Sequence, residues 1–568
     1  MAKSSIPPIE PTAAGRSLPV DAVSGVSIGE YLIRRLQDYG VRHVFGIPGD
    51  YVLSFYAMLE KSRLGLVGCT REDCAGFAAD AYARLNGIGA VCVTYCVGGL
   101  SLCNSIAGAF AEKSPVVVIS GSPGVRERLD NPLLHHRVKD FHTQANVFSH
   151  ICCATAELND PHTALAEIDR VLAAVMRFRQ PGYIELPRDL VAVVPEGAHV
   201  PAQTIPASDP EALCEAVGEA SRRIADAVRP IILAGVEIHR FGLQCPLLEF
   251  AQKAGIPIAA TMLGKSVIGE RHPLFAGIYE GALGRDEVTR FVEDSDCVIL
   301  LGEYMTDINM GIFTAHLDPW RCIDATAETL RIGHLYYNGV LLGDFIEALA
   351  AAGLKAPPRQ LPPRAEPDAG GFQLRPDEPL TNRRLIARLN QSLDATMVVI
   401  ADPGDALFAS SELFIQRQTE YLSPAYYTSM GFAVPAALGA MVAQPKLRPI
   451  VLVGDGAFQM TGMELSSIVR NGFCPLVIVL DNEGYGTERM LLLGDHPFND
   501  IRPWHYAKLP EVLGAGQGHE VRSEGDFDRA LTSALADTGQ MHLLHVHLGP
   551  NDYSPTLVRL MTKLRARV

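Results

Sequence analysis

Two short apolar runs, each ending in a polar corner, constrain this chain more than any other stretch. Residues 450–453 read IVLV and residues 476–480 read LVIVL. Both are branched, uncharged and one strand long, the pattern of parallel strands buried on both faces of a sheet. The segment between them has room for one crossover helix, which makes a βαβ unit with its strand ends side by side at one edge. Open α/β sheets bind ligands at that edge. Asp455 and Asn482, which follow the two strands, are therefore expected close together there. Gly454 and Gly456 flank the aspartate and let a ligand approach the backbone, while the amides of Ala457 and Phe458 open the next helix and point at it.

Such a corner is an anion site with a metal beside it. A carboxylate and an amide oxygen are hard ligands suited to Mg²⁺, which completes an octahedral shell with phosphate oxygens and water. The expected guest is a diphosphate. A nucleotide fits less well, because this stretch lacks the phosphate loop ending in Gly-Lys-Ser/Thr, and Gln459 stands where a dinucleotide fingerprint needs its third glycine.

Gly-Asp-Gly, followed after a helix and a strand by Asp481-Asn482, resembles the fingerprint of the thiamine diphosphate enzymes. Their usual pair is Asn-Asn. This chain departs at Asp481 and keeps the second residue, which is the metal ligand in the family. The resemblance implies that Asp455, Asn482 and the carbonyl of Gly484 hold Mg²⁺ on the diphosphate of thiamine diphosphate.

With 568 residues the chain exceeds one core and fits three domains. A net charge of −15 lacks the basic footprint of a nucleic-acid or anionic-membrane partner. The twelve cysteines show no paired C-x-x-C spacing, and Cys92, Cys297 and Cys474 sit in apolar runs, so they read as reduced, packed thiols. A reactive thiol at Cys96 or Cys152-Cys153 is the alternative. The apolar runs fall short of the roughly 20 residues of a membrane span. Residues 1–25 hold prolines and small residues without an apolar signal core, so they read as a mobile tail on a cytoplasmic protein.

The N-terminal block runs over 26–190. IGEYLIRRLQDYG spaces its apolar residues as an amphipathic helix, and HVFGIP forms a strand that leads into Gly49-Asp50-Tyr51. Glu72 opens CAGFAADAYAR, a helix whose Ala and Gly residues let another helix or subunit approach closely; capping is the other role open to Glu72. His135-His136 stand in a loop, where a plain surface pair is the alternative. Asp50, Glu72 and a His-His pair in this order resemble the pyruvate, indolepyruvate and phenylpyruvate decarboxylase branch of the thiamine enzymes. By that resemblance Glu72 faces the aminopyrimidine ring of the cofactor and its helix lines a dimer contact.

A second α/β block, 205–354, carries the strand-like PIILAG, PIAAT and CVILLG and no catalytic cluster, and reads as a scaffold. Residues 355–378 are rich in Pro, Gly and charge, as in a linker. The third block, 379–568, adds the corner Gly404-Asp405 after MVVIADP, which the family places over the diphosphate. Thr428 and Met430 follow, and Met430 stands where relatives carry a bulky aliphatic residue that bends the cofactor; ordinary core packing is its alternative. Leu407 replaces the aromatic residue of pyruvate-confined relatives and implies room for larger acids. Trp504, in LLLGDHPFNDIRPWHY, falls on what resembles the family's lid-side strand.

The implied fold is three doubly wound parallel-sheet α/β domains of the thiamine diphosphate-binding type: pyrimidine-binding, middle and diphosphate-binding. The implied reaction is non-oxidative decarboxylation of a 2-oxo acid to an aldehyde and carbon dioxide. Asp50, His135, His136 and Glu488 are the candidates for the proton that releases the aldehyde. Because Glu72 and the diphosphate corner lie on different domains, the resemblance implies a homodimer or a dimer of dimers with sites between subunits. A thiamine-dependent carboligase, a benzoylformate-type decarboxylase and a catalytically silent relative are the alternatives.

Overall fold

The computed structural model describes residues 22–201, 206–363, 372–417, 421–492, 494 and 496–565. Most of the N-terminal tail and the centre of the linker expected from the sequence lie outside these residues. Three sheets organise the rest, each flanked by helices.

The first sheet contains β1 (His43–Gly46), β2 (Gly65–Gly68), β3 (Gly89–Val93), β4 (Val116–Ser122), β5 (Ala154–Glu157) and β6 (Gly182–Pro187) in the order β2-β1-β3-β4-β6-β5, all parallel. Its first helix, Ile28–Asp38, begins in a capping box between Ser27 and Glu30 that satisfies otherwise orphaned amides. The second sheet contains β7 (Pro230–Ala234), β8 (Ile258–Ala260), β9 (Phe275–Ile278), β10 (Cys297–Leu301), β11 (Cys322–Ala325), β12 (Leu330–Ile332) and β13 (Leu335–Tyr337). It is not purely parallel as expected, because β12 and β13 pair antiparallel at one edge. The connections there are too short for a parallel crossover.

The third sheet contains β14 (Met397–Ala401), β15 (Tyr421–Leu422), β16 (Arg448–Gly454), β17 (Leu476–Asp481), β18 (Gln517–Val521) and β19 (His542–His547), ordered β15-β14-β16-β17-β19-β18. β16 and β17 are parallel neighbours, with Gly454 opposite Leu480, so their polar corners share one edge. The crossover between them is not one helix but two, Asp455–Thr461 and Leu465–Arg470, joined by a 3₁₀ turn at Gly462–Glu464. The segment after Glu488 does not form the expected strand. The Gly486–Leu491 helix gives way to turns and loop, with one isolated bridge between Gly484 and Asp500, in a stretch that Pro497 and Pro503 make unsuitable for a strand ladder.

The helix Glu72–Asn86 finds a partner for its small-residue face within the chain. It packs on Ala433–Ala443 so closely that a Cβ at Gly439 would overlap the carbonyl oxygen of Ala78. This contact fuses the cores of the first and third sheets into one apolar cluster. Among the described residues, no helix is long and apolar enough to cross a membrane.

Candidate active site

A cavity lies at the carboxyl edge of the third sheet, above β14, β16 and β17. Its lining includes the sequence-derived Gly404, Asp405, Met430, Gly454, Asp455, Gly456, Ala457, Asn482, Gly484 and Glu488. Gly404 has φ +97°, which an L side chain rarely adopts, and so fixes the turn out of β14. At Gly456 a Cβ would press on Ile501 and Tyr485, whereas at Gly454 it would meet no protein atom within 4 Å and would enter the cavity itself.

Asp455 is 1% exposed. Its Oδ1 accepts the amide of Gly456 at 2.8 Å, and its Oδ2 has no hydrogen-bond partner among the described residues. Burial, together with the neighbouring Asp481 carboxylate, pushes its pKa up to about 7. A buried carboxylate oxygen without a donor suits a cation, and Asn482 and Gly484, which line the same cavity, carry an amide oxygen and a carbonyl of the hard-donor kind. The residues present thus fit Mg²⁺ and a diphosphate. Asp405 repeats the pattern: Oδ2 accepts from Asn382 Nδ2 (2.9 Å) and the Ser554 amide (2.8 Å), Oδ1 is unpartnered, and burial pushes its pKa up to about 6.

Several residues of this site carry no signal that sequence reasoning used. Asn382 and Asp552 line the cavity from distant segments, and the Asn382 amide donates to Asp552 Oδ2 at 2.6 Å. Arg489 clasps the metal corner, donating to the carbonyls of Asn482 (2.9 Å) and Glu483 (2.7 Å) and pairing with Asp500. Its adjacency to Glu488 was the available hint. Met430 is held from both sides. Glu112 Oε1 accepts the amides of Tyr426 and Tyr427 (2.8 and 2.9 Å), and Asp402 accepts those of Gly431 and Ala433 (2.8 and 2.7 Å).

Four sequence-derived residues of the third block stand outside the lining. Leu407 is buried in the apolar core and does not line the cavity, because on the Asp405–Ser410 helix it lies two residues, about 200°, round from Asp405. Ala406 lines the cavity instead. Trp504 is partly exposed, 6.1 Å from the Tyr506 ring, also outside the lining. Thr428 is exposed with φ +54° and contributes nothing to the lining. The Phe458 side chain packs in the core, edge-on to Tyr506.

A second cluster sits at the carboxyl edge of the first sheet. His135 Nε2 is 2.6 Å from Asp50 Oδ2, Tyr51 stacks on His135 at 4.7 Å, and the two histidine rings meet edge-on at 4.8 Å. Burial raises the Asp50 pKa, but the hydrogen bond and charge of His135 outweigh it and hold the carboxyl below its ordinary value. His136 adopts φ +65°, and its buried Nδ1 has no partner. Glu72 is the first residue of its helix, after the N-cap Arg71, in the first turn where a carboxylate suits the helix dipole, as the alternative role had it. Gly98 leaves space beside it, since a Cβ there would lie 3.4 Å from Glu72 Oε1. The cavity of the third sheet is lined by none of Asp50, Glu72, His135 or His136. The remaining sequence alternative, a reactive thiol at Cys96 or Cys152-Cys153, is disfavoured by burial, which raises all three thiol pKa values.

Three family models match the chain: "Thiamine pyrophosphate enzyme, N-terminal TPP binding domain" at residues 26–146, the central domain of the same enzymes at 217–351, and their C-terminal TPP binding domain at 402–546. Among curated relatives, an indole-3-pyruvate decarboxylase of Azospirillum brasilense is 36% identical over 544 residues, 94% of this chain and 98% of the relative. Alpha-keto-acid decarboxylases of Mycobacterium leprae and Mycobacterium tuberculosis (strain ATCC 25618 / H37Rv) are each 35% identical, covering 94% and 92% of this chain and 95% and 94% of their own lengths.

Proposed function

Since the chain belongs to the thiamine pyrophosphate enzymes and is a thiamine diphosphate-dependent 2-oxo acid decarboxylase, we propose how its residues divide that work. The observation that carries the proposal is the unpartnered, buried Asp455 Oδ2 at a glycine-flanked sheet corner. Asp455, Asn482 and the Gly484 carbonyl would hold Mg²⁺, with the diphosphate lying against Gly454, Gly456 and the amide of Ala457. Bound there, thiamine diphosphate supplies the nucleophilic carbon and the electron sink that loss of carbon dioxide requires. Met430 would support the rings with its adaptable side chain, on a backbone that Glu112 and Asp402 clamp at the amides of neighbouring residues.

Glu72 would hold a proton against the pyrimidine nitrogen of the cofactor. Asp50, His135, His136 and Glu488 form the acid–base group that delivers a proton to the product side. Glu72 and the Asp50–His135 pair are absent from the cavity lining of their own chain, which supports a site completed by a second copy, in a homodimer or a dimer of dimers. Domains at 26–190, 205–354 and 379–568, and a cytoplasmic location, belong to the same reading.

The substrate is a 2-oxo acid, and larger aryl or aliphatic acids are accepted alongside pyruvate. The small Ala406 in the lining and the relative named indole-3-pyruvate decarboxylase support this breadth. The test is release of carbon dioxide and aldehyde from pyruvate, phenylpyruvate, indolepyruvate and branched 2-oxo acids, with and without thiamine diphosphate and Mg²⁺. One aldehyde per carbon dioxide, dependent on both additions, is the expected result. Carbon dioxide without matching aldehyde would establish a carboligase instead, and Glu72→Gln with unchanged turnover would overturn the role given to Glu72.

A further inference from the structure

Asp481 is where this chain departs from the Asn-Asn pair of its family, and the departure places a second buried carboxylate beside the metal corner. Asp455 and Asp481 are 1% and 2% exposed at the ends of two adjacent strands, Asp455 opening the helix after β16 and Asp481 closing β17. Unscreened, that extra charge would repel a diphosphate or swing into the shell of the cation. In the structure the Asp481 carboxylate lies beside that of Asp455 and is tied down by partners of its own. His545 Nε2 lies 2.6 Å from Asp481 Oδ2, and the Glu483 amide donates to Oδ1 at 3.2 Å, so both oxygens are engaged.

His545 is itself held. It is 3% exposed, projects from β19 on the same face as Asp481, and lies under the edge of the Tyr506 ring at 4.9 Å. Its other nitrogen, Nδ1, is 3.3 Å from Glu520 Oε1 on β18, and Glu520 Oε2 is 2.7 Å from His547 Nε2. The result is a row of alternating acids and imidazoles, Asp481, His545, Glu520 and His547, running from the metal corner across three adjacent strands to a half-exposed carboxylate. A plain amide at 481 would need none of it.

We propose that His545 is a positioning residue for the cofactor site: by binding Asp481 it keeps that carboxylate out of the cation's shell and away from the diphosphate, so that a chain with Asp in place of Asn still binds Mg²⁺ and thiamine diphosphate. Removing His545 leaves the buried Asp481 held only by the Glu483 amide, with Oδ2 free to compete for the cation beside Asp455, where each further carboxylate costs the site affinity for an anion. Asn at 481 carries no charge and makes His545 dispensable. The inference rests on the cofactor reading of this corner given above.

The test is calorimetric titration of the apo-protein with thiamine diphosphate at fixed Mg²⁺, for the wild type, His545→Ala, His545→Gln and His545→Ala/Asp481→Asn, with a melting curve for each. Affinity is expected to fall about tenfold or more in His545→Ala, as for other outer-shell partners of metal ligands. It should fall less in His545→Gln, whose amide can still donate to Asp481, and return to within about threefold of wild type in the double variant, where the neutral amide removes the buried charge. Wild-type affinity in His545→Ala, or a double variant as weak as His545→Ala, would overturn the proposal. Should His545→Ala fail to fold, recovery of fold and binding on adding Asp481→Asn supports it, and failure to recover overturns it. A wild type that binds no thiamine diphosphate would instead overturn the cofactor reading, and this inference with it.

Discussion

His135 Nε2 lies 2.6 Å from Asp50 Oδ2, with Tyr51 stacked on the imidazole, so the acid and the base of the first-sheet cluster act as a unit. The His135 hydrogen bond holds the Asp50 carboxyl below its ordinary value, and the pair can hold and pass one proton. Asp50→Asn and His135→Gln are each expected to lower kcat by about 100-fold or more, in keeping with the loss of a positioned acid–base group. Their melting temperatures should stay near that of the wild type, because the pair is largely exposed. Steady-state rates of aldehyde release, with carbon dioxide counted in parallel, check the first part, and a thermal melt checks the second.

Asp455→Asn removes the only charged donor proposed for the cation. Cofactor affinity at fixed Mg²⁺ is expected to drop by about 100-fold or more. The apo-protein should be no less stable than wild type, since the substitution also removes a buried carboxyl that has an unpartnered oxygen. Gel filtration followed by assay of retained thiamine measures the loss, and removal of Mg²⁺ from the wild type by a chelator should reproduce it.

Glu112 joins three parts of the molecule. Besides the amides of Tyr426 and Tyr427, it pairs with Arg84 at 3.0 Å, and its backbone carbonyl accepts from Arg240. Glu112→Ala strands two amides and weakens a fully buried ion pair, with an expected cost of about 3 kcal/mol. Because the loop it anchors leads to Met430, cofactor affinity should fall as well. Urea unfolding and thiamine diphosphate titration of the same variant test both outcomes.

Burial raises Glu303 to about 8 and Glu280 and Glu185 to about 7, against an ordinary 4.5. Carboxyls with folded pKa values above their unfolded ones bind protons more tightly in the native state. The stability they confer is full at about pH 4 and is lost as the pH rises through about 7 to 8. The apo-protein is therefore expected to melt at progressively lower temperature from about pH 6 to pH 8. Glu303→Gln keeps the neutral partner that Thr261 and Asn309 bond and should flatten that slope. A Glu303→Gln melt with wild-type pH dependence would contradict this assignment.

Gly439→Ala puts a methyl group against the Ala78 carbonyl, where the two small-residue helices cross. Backbone cannot yield as a flexible side chain can, so a loss of at least about 1–3 kcal/mol is expected. Chemical denaturation measures it. As a control, Ala at Gly218 meets no atom within 4 Å and should be neutral or mildly stabilising through helix propensity.

The metal corner was legible in the sequence because parallel neighbours with a short crossover leave their ends no choice but to meet. IVLV and LVIVL fixed β16 and β17, and with them the proximity of Asp455 and Asn482. The same local logic placed Gly404-Asp405 at the neighbouring corner and Glu72 at the start of its helix. The composition of that helix also foretold close approach by another helix.

What the sequence could not determine depends on side-chain direction and on contacts between distant segments. Leu407 turned into the core and Ala406 toward the cavity because adjacent residues on a helix face about 100° apart, and strand-end reading does not set that phase. Asn382 and Asp552 reach the site from opposite ends of the third block, and Glu112 from the first, separations that no local motif spans. The pairing of Asp481 with His545 was equally hidden: 64 residues separate them in the chain, and only the insertion of β19 beside β17 brings them to one face. Sequence by itself determined the strands, the corners and the chemical kind of the site. Tertiary structure decided which side chains face it and which buried charges are neutralised, because both follow from the packing of segments remote in sequence.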